Sequence, residues 1–445
     1  MAREYKDSGI YNEAIPLTWN VRKFGGLCSV VTDFVASGSF ADLRANVHYL
    51  DSPDYAMLVR TTDLAKSNRS EKKIYISKES YDYLSNSNLF GGEIVLPNIG
   101  SIGDVYIVPS DLYSRMSLAP NAIMFKTNEC DKYFYYYFQS KVGGVQLDEI
   151  SQSTAMAKFN KTDLRQLRVL CPPYSEQQKI ADYLDKVCGE VDEMVALQET
   201  MIEELKAYKQ SVITEAVTKG LNPNAPMRNS GIDWIGEIPE HWKLEPLKYC
   251  FGRRSEKNNP VKTEERLSLS IDKGVTLYAE KTTNLDRFKD DFTQYQLAYP
   301  NDIVLNCMNM IVGAVGLSNY MGCVSPVYYV IYPIRQDINP LYYSYLLNIP
   351  TIRGVYYSLG KGIYAIERGE GRVNTCRLKV AYNDFGRLEI PVPPLEEQKE
   401  ITLFIQQKCS QIDSLIALKQ AKIEELKEYK KSVIYEYVTG KKEVV

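Results

Sequence analysis

Three stretches of the chain place reactive residue types at suggestive spacings, and each falls short of the chemistry it imitates. Cys171-Pro172-Pro173-Tyr174 is close to the amino-methyltransferase tetrapeptide, but that motif begins with Asp, Asn or Ser, and a second stretch of the chain reads Val392-Pro393-Pro394-Leu395. The prolines are better read as punctuation before a helix. The run from Gly354 to Gly362 imitates a phosphate-binding loop, with one residue too many between its glycines and no Ser or Thr after Lys361. Pro53-Asp54 followed by Glu71-Lys72-Lys73 fits the outline of a metal-dependent nuclease, a short pattern that chance supplies often. There are two histidines, His48 and His241, so histidine triads and multi-histidine metal sites are poorly supplied. The nine cysteines are scattered, odd in number and form no CxxC pair, which points to reduced, buried thiols. No catalytic residue, bound metal or bound cofactor is expected of this chain.

What must position any working residues is an internal repeat. Residues 172–220 align with 393–441 at a constant offset of 221, and 22 of the 49 positions are identical. Pro172-Pro173 falls on Pro393-Pro394, and Ile202-Glu203-Glu204-Leu205-Lys206 falls on Ile423-Glu424-Glu425-Leu426-Lys427. Ser175, with Gln178 three residues on, reads as a capping box opening the first helix. Apolar positions then recur near a heptad, through Leu184, Val191, Met194, Met201, Leu205, Tyr208 and Val212. The second copy gives Ile405, Ile412, Leu415, Leu426, Tyr429 and Val433, and polar Gln198 and Lys419 interrupt the two seams at matching places. A helix from about 175 to 218 would be roughly 60 Å long at about 1.5 Å per residue. So long an amphipathic helix needs a partner, and the other copy is the obvious one. An antiparallel pair would set the remaining blocks at opposite ends about a pseudo-twofold axis.

Those blocks begin alike. Ser8-Gly9-Ile10, Ile15-Pro16 and Trp19 return as Ser230-Gly231-Ile232, Ile238-Pro239 and Trp242. Each block ends in a matching lead-in, Asp163-Leu164, Leu167 and Val169 or Asp384-Phe385, Leu388 and Ile390, whose alternation predicts a short strand. Between these landmarks lie short β-rich runs at 73–76, 93–96, 105–108, 122–125, 302–305 and 328–332, and tyrosine-rich segments at 133–138 and 342–347 that predict short buried helices. Outside the skeleton the blocks differ, as related folds with different recognition loops would. A net charge of −3 gives no global field for nucleic acid, so any such site must be local. No apolar leader or membrane-length stretch stands in the sequence, so a cytoplasmic protein with no membrane partner is expected.

Several of these segments, in order and twice over, resemble the specificity subunit of type I restriction–modification enzymes. They are PPYSEQQKIADYL with IEELKAYKQSVITEAVTKG, PPLEEQKEITLFI with IEELKEYKKSVIYEYVTGKK, SGIDWIGEIPEHWKL, and LFGGEIVLPNIGSIGDV. The first lead-in, SGIYNEAIPLTWNV, departs from the fuller form. The resemblance implies an α+β fold. Two mixed α/β target-recognition domains, 1–171 and 221–392, would be related by pseudo-twofold symmetry. A long antiparallel two-helix coiled coil, made by the helices at 172–220 and 393–441, would separate them.

Each domain would read half of a split, asymmetric double-stranded DNA site. The helices would dock two methyltransferase subunits, which restriction subunits join. S-adenosylmethionine, ATP and Mg2+ would belong to those partners. Readout of bases needs side chains at base edges, while phosphate contacts only position the protein. Loop residues suited to either task are Arg60, Lys66, Ser101, Ser153, Thr154, Lys158 and Asn160 in the first block. In the second block they are Lys273, Asn309, Lys361, Arg368, Arg372 and Arg377. The alternatives are a coiled-coil adaptor without sequence readout, and a nuclease using Asp54, Glu71 and Lys73.

Overall fold

Each block opens with a turn that its own side chains close. Asp7 Oδ1 accepts from Gly9 N and Asn229 Oδ1 from Gly231 N, both at 2.8 Å, and the next serine, Ser8 or Ser230, accepts from Ile10 N or Ile232 N through Oγ. The turns join the antiparallel strands Tyr5–Asp7 with Ala14–Pro16, and Met227–Asn229 with Glu237–Pro239. A buried tryptophan follows each. Trp19 Nε1 donates to Glu176 Oε2 at 3.0 Å, and Trp242 Nε1 donates to Glu397 Oε2 at 3.1 Å. These are the details of a computed structural model, which describes residues 3–65, 72–151, 157–280, 291–363, 367–368, 372–373 and 377–444.

The chain divides into two compact units that do not follow chain order. One comprises 1–199 with 420–445, the other 200–419. The long helices, Tyr174–Lys219 and Leu395–Val438, therefore each contribute one half to each unit. Within the first unit Lys430 Nζ meets Asp192 Oδ1 at 2.6 Å, and the rings of Tyr183 and Tyr437 lie 4.4 Å apart. Within the second, Lys209 Nζ meets Asp413 at 2.7 Å, and Lys419 Nζ lies 3.2 Å from Met201 Sδ. In both units the helix halves run antiparallel. The two ion pairs are one pair written twice, since Lys430 and Asp192 stand 221 positions from Lys209 and Asp413.

Each unit also holds the same antiparallel sheet. In the first its order is Cys28–Asp33, Ala122–Thr127, Ile94–Pro97, Tyr106–Ile107. In the second it is Phe251–Arg254, Tyr328–Pro333, Ile303–Asn306, Val315–Leu317. The tyrosine-rich segments are the helices Asp131–Gln139 and Pro340–Leu346, packed between sheet and long helix. The strands Arg168–Cys171 and Glu389–Val392 pair with Asn20–Lys23 and Lys243–Pro246 and lead into the long helices. The α+β class and the short elements thus match expectation. Among the described residues no helix is long and apolar enough to cross a membrane.

The units differ beyond that frame. The first adds a four-stranded sheet, Tyr75–Ile76, Ala56–Val59, Met116–Leu118, Asn88–Leu89, over its own apolar clusters. The second has two-stranded pairs, Leu267–Ser270 with Gly274–Leu277 and Gln296–Ala298 with Gly322–Val324. It also carries a hairpin whose strands Gly360–Ile363 and Arg377–Val380 keep one register with Glu367–Arg368 and Arg372–Val373 further out.

Three expectations need correction. The first long helix starts at Tyr174, so Ser175 is not its N-cap, and Gln178 Nε2 donates to Tyr174 instead. The lead-ins at Asp163-Leu164 and Asp384-Phe385 are short helices, Lys161–Gln166, which Asn160 and Asp163 close with a capping box, and Tyr382–Gly386; the strands begin only at Arg168 and Glu389. The apolar seam keeps Leu184, Val191, Ile405, Ile412, Leu426 and Val433 buried, but Leu205 and Val212 are only half-buried. Ile202 and Ile423 take the buried role, while Met194, Met201, Tyr208, Leu415 and Tyr429 face solvent. A helix of 3.6 residues per turn drifts off a seven-residue repeat, which rotates those positions outward.

Candidate nucleic-acid interface

A buried carboxylate shapes the same turn in each unit. Glu93 accepts from Phe90 N at 3.1 Å and Gly91 N at 2.8 Å, and Asp302 accepts from Tyr299 N at 2.9 Å. The turn needs a left-handed residue, met by Gly92 at φ 82° and by Asn301 at φ 70°. The following strand, Ile94–Pro97 or Ile303–Asn306, then delivers a loop, Asn98 to Asp104 or Cys307 to Gly313. Ser101 and Asn309, chosen separately from sequence, stand exposed in these two corresponding loops.

A second segment lies against each loop. In the first unit Phe159 N donates to Asn98 O at 3.2 Å, Asn98 Nδ2 donates to Phe159 O at 3.0 Å, and Lys158 bridges to Ile99. This brings Ser101, Lys158 and Asn160 to one rim. The Asn160 carboxamide is already committed, accepting from Thr162 N at 2.7 Å and Asp163 N at 3.1 Å. In the second unit Val380 N donates to Cys307 O at 3.1 Å, which puts the base of the hairpin beside the Asn309 loop. Lys361 is exposed there, with its Nζ 3.8 Å from Asp384 Oδ2.

The other sequence candidates are distributed differently. Arg60 clamps the buried Asp63 with Nε and Nη2, both at 3.0 Å, and Lys73 Nζ adds a bond at 3.2 Å. Burial works against the charge on Asp63, but these bonds outweigh it and hold its carboxyl below the usual carboxylate range. Arg60 is therefore engaged within the fold, as is Lys73 of the alternative nuclease set. Asp54 is exposed, and among the described residues no group of three or more His, Cys, Asp or Glu could hold a metal ion. Lys273 is exposed in the turn between Leu267–Ser270 and Gly274–Leu277. Lys66, Ser153, Thr154 and Glu71 lie outside the described residues, and the side chains of Arg368, Arg372 and Arg377 do also. In the backbone ladder Arg368 pairs with Arg372 and Ile363 with Arg377.

Two cations at the hairpin base were missed from sequence. Lys379 stands directly across the ladder from Lys361. Arg253 lies 5.1 Å from the Tyr329 ring centroid and 4.9 Å from that of Tyr382. The signal for Lys379 was available, since it stands 221 positions after Lys158. Arg253 has no such signal, because its strand gives no cue to which face meets the tyrosines.

Comparison with known proteins agrees with this frame. A family model described as the type I restriction modification DNA specificity domain matches residues 16–207. The putative type I restriction enzyme MjaX specificity subunit of Methanocaldococcus jannaschii is 23% identical over 96% of this chain and 94% of its own length. The type I restriction enzyme EcoBI specificity subunit of Escherichia coli is 24% identical over 64% of this chain and 61% of its own. The crystal structure of the HsdS subunit from Thermoanaerobacter tengcongensis is similar in fold over 98% of this chain and all of that one, with a TM-score of 0.52 at 14% identity. A chain from a structural study of complex assembly and conformational transition in the type I R-M system gives a TM-score of 0.63 at 14% identity, covering 96% of this chain and 99% of that one.

Proposed function

We propose that this chain is the specificity subunit of a type I restriction–modification system, a DNA reader with no catalytic centre of its own; the family model over residues 16–207 and the relative similar along most of the chain support the reading. The observation that carries the reading is one frame built twice around unlike rims. The same sheet order, the same tryptophan–glutamate bond and the same loop-supporting hydrogen bond recur in both units. The second sheet and the hairpin do not. A duplicated frame with different rims suits two unlike half-sites, hence an asymmetric bipartite DNA sequence.

In this reading the two units are target-recognition domains related by a pseudo-twofold axis. The long helices form one antiparallel coiled coil that fixes the separation of the half-sites, since half-site spacing follows protein geometry. The repeated Lys–Asp pair supports that register. Two methyltransferase subunits would take equivalent seats on the helices, where Met194 and Leu197 and their 221-offset counterparts Leu415 and Leu418 leave apolar surface exposed. Restriction subunits would join that core in the cytoplasm. S-adenosylmethionine, ATP and Mg2+ would serve the partners' chemistry.

The test is single-molecule mapping of methylated bases in cells carrying the whole system, with this chain intact or bearing Arg372→Ala. The intact chain should direct an asymmetric bipartite mark. The variant should relax the half-site read by the second unit and spare the other. A contiguous palindromic mark, or one that persists when the chain is deleted, rules the reading out.

A further inference from the structure

The hydrogen bond that props each rim also makes two lysines equivalent. Phe159 N to Asn98 O in the first unit is Val380 N to Cys307 O in the second. Phe159 and Val380 are buried at 3% and 0%, and 221 positions separate them. The residue before each is a lysine, Lys158 or Lys379, and both lysines are exposed. Extended backbone alternates its faces, so burying Phe159 or Val380 turns the preceding lysine to solvent beside the loop of Ser101 or Asn309. Among the described residues neither lysine has a carboxylate partner.

The second unit strengthens the case. Lys361 and Lys379 are directly opposed in the ladder, and like charges so placed destabilise a strand pair. Arg253 adds a third cation behind them, over Tyr329, whose hydroxyl donates to Val380 O at 2.8 Å. Burial pushes the Cys307 thiol up, and Lys379 and Arg253 pull against that shift, so both cations lie close to one point. The nearest acid recorded for the group is Asp384, 3.8 Å from Lys361 and a weak, open contact. Among the described residues, three cations at a rim with one weakly held acid between them suit a bound polyanion better than a free surface.

We propose that Lys158 and Lys379 are equivalent phosphate anchors, one per half-site, which clamp the DNA backbone and leave sequence readout to the residues around them. The proposal rests on the specificity-subunit reading and assigns a role within it. A phosphate contact makes affinity fall with salt, by about 0.9 in the log–log slope for each contact on duplex DNA. It leaves the ratio of specific to non-specific binding unchanged, whereas a lost base contact lowers that ratio by about 5- to 150-fold.

The experiment is a salt titration of DNA binding by the full chain assembled with its methyltransferase subunits. It uses duplexes with and without the mapped site and compares wild type with Lys158→Ala, Lys379→Ala, the double variant and Lys379→Arg. Each alanine variant should lower the slope by about 0.9, the double variant by about twice that, with the specificity ratio changed less than twofold. Lys379→Arg should restore the slope, which a merely misfolded variant would not do. An unchanged slope overturns the assignment, and so does a ratio that collapses at one half-site, which would make the lysine a base reader. If the wild-type complex shows no site preference at all, the specificity-subunit reading falls with it.

Discussion

Replacing Gln398 with methionine is a severe test of how each domain is fastened to its helix. Gln398 is fully buried one turn into the second long helix. Its Nε2 donates to Pro393 O at 2.8 Å and Asp337 O at 2.9 Å, and its Oε1 accepts from Asn339 N at 2.8 Å. Asn339 caps the helix Pro340–Leu346, so one carboxamide joins strand end, helix cap and long helix. Methionine keeps the volume and supplies no hydrogen bond, leaving the buried Pro393 O and the part-buried Asp337 O and Asn339 N without this partner. At about 1–3 kcal/mol for each orphaned group, allowing for partial relaxation, the cost is about 3–5 kcal/mol. With a denaturant slope of about 3 kcal/mol per molar urea, the midpoint falls by about 1–1.7 M. Gln177→Met should cost less, about 2–4 kcal/mol, because it orphans only Pro172 O and Cys130 N while Glu129 keeps Arg22. Urea unfolding followed by tryptophan fluorescence reads both, since Trp19 reports one unit and Trp242 the other. Midpoint shifts below about 0.3 M for both variants, under 1 kcal/mol on the same slope, would refute the claim that water cannot replace these bonds.

Gly440 and Gly220 give a graded pair. Both have left-handed backbone, φ +73° and +75°, so alanine costs each about 1–2 kcal/mol. At Gly440 the new Cβ would also meet Pro16 at 2.6 Å, whereas at Gly220 its nearest neighbours are Glu397 Oε1 at 3.0 Å and the Trp242 ring at 3.2 Å. Gly440→Ala should therefore lower thermal stability clearly more, by about 1–3 kcal/mol of added overpacking; equal losses by calorimetry would contradict the contact geometry. Leu415→Glu with Leu418→Glu alters exposed positions, so stability should change by less than about 0.5 kcal/mol for each. Co-purified methyltransferase should fall by about half, one seat of two, and unchanged stoichiometry by native mass spectrometry would clear these leucines of a docking role.

Much of the frame was legible because the chain states it twice. The offset of 221 located the helices and both lead-ins, and the repeated Ser-Gly-Ile and Ile-Pro landmarks located the buried tryptophans. Short-range rules then failed where a longer-range partner decided the outcome. Ser175 fits a capping box, yet Gln177 fixes the helix start through Pro172 O and Cys130 N, a contact 47 residues distant. Arg60 reads as a loose basic loop residue until Asp63 is seen buried beneath it. The rims were least legible, because a loop cation shows neither its partner nor its face in the sequence. Lys158 and Asn309 were reached by residue type alone. Lys379 was within reach through the offset from Lys158, and the register of the ladder shows why it matters.

The fastenings of the frame share a property that bears on how such proteins change specificity. Apart from the tryptophan–glutamate bonds, their buried side chains bind backbone, and backbone is the same whatever residue supplies it. Tyr133 Oη donates to Leu170 O and Val438 O, and in the second unit Tyr343 and Tyr342 divide the task, donating to Pro391 O and Val217 O. Gln177 and Gln398 address proline carbonyls, and the rims hang from Phe159 N and Val380 N on Asn98 O and Cys307 O. A scaffold secured in this way places few demands on the side chains of the segments it holds. The second sheet of the first unit and the two-stranded pairs at the matching place in the second can then differ without disturbing a fastening. Only backbone geometry at the loop ends must be kept, and it is kept by the buried acids Glu93 and Asp302. Sequence divergence at the rim and constancy at the helix are thus two sides of one hydrogen-bonding scheme.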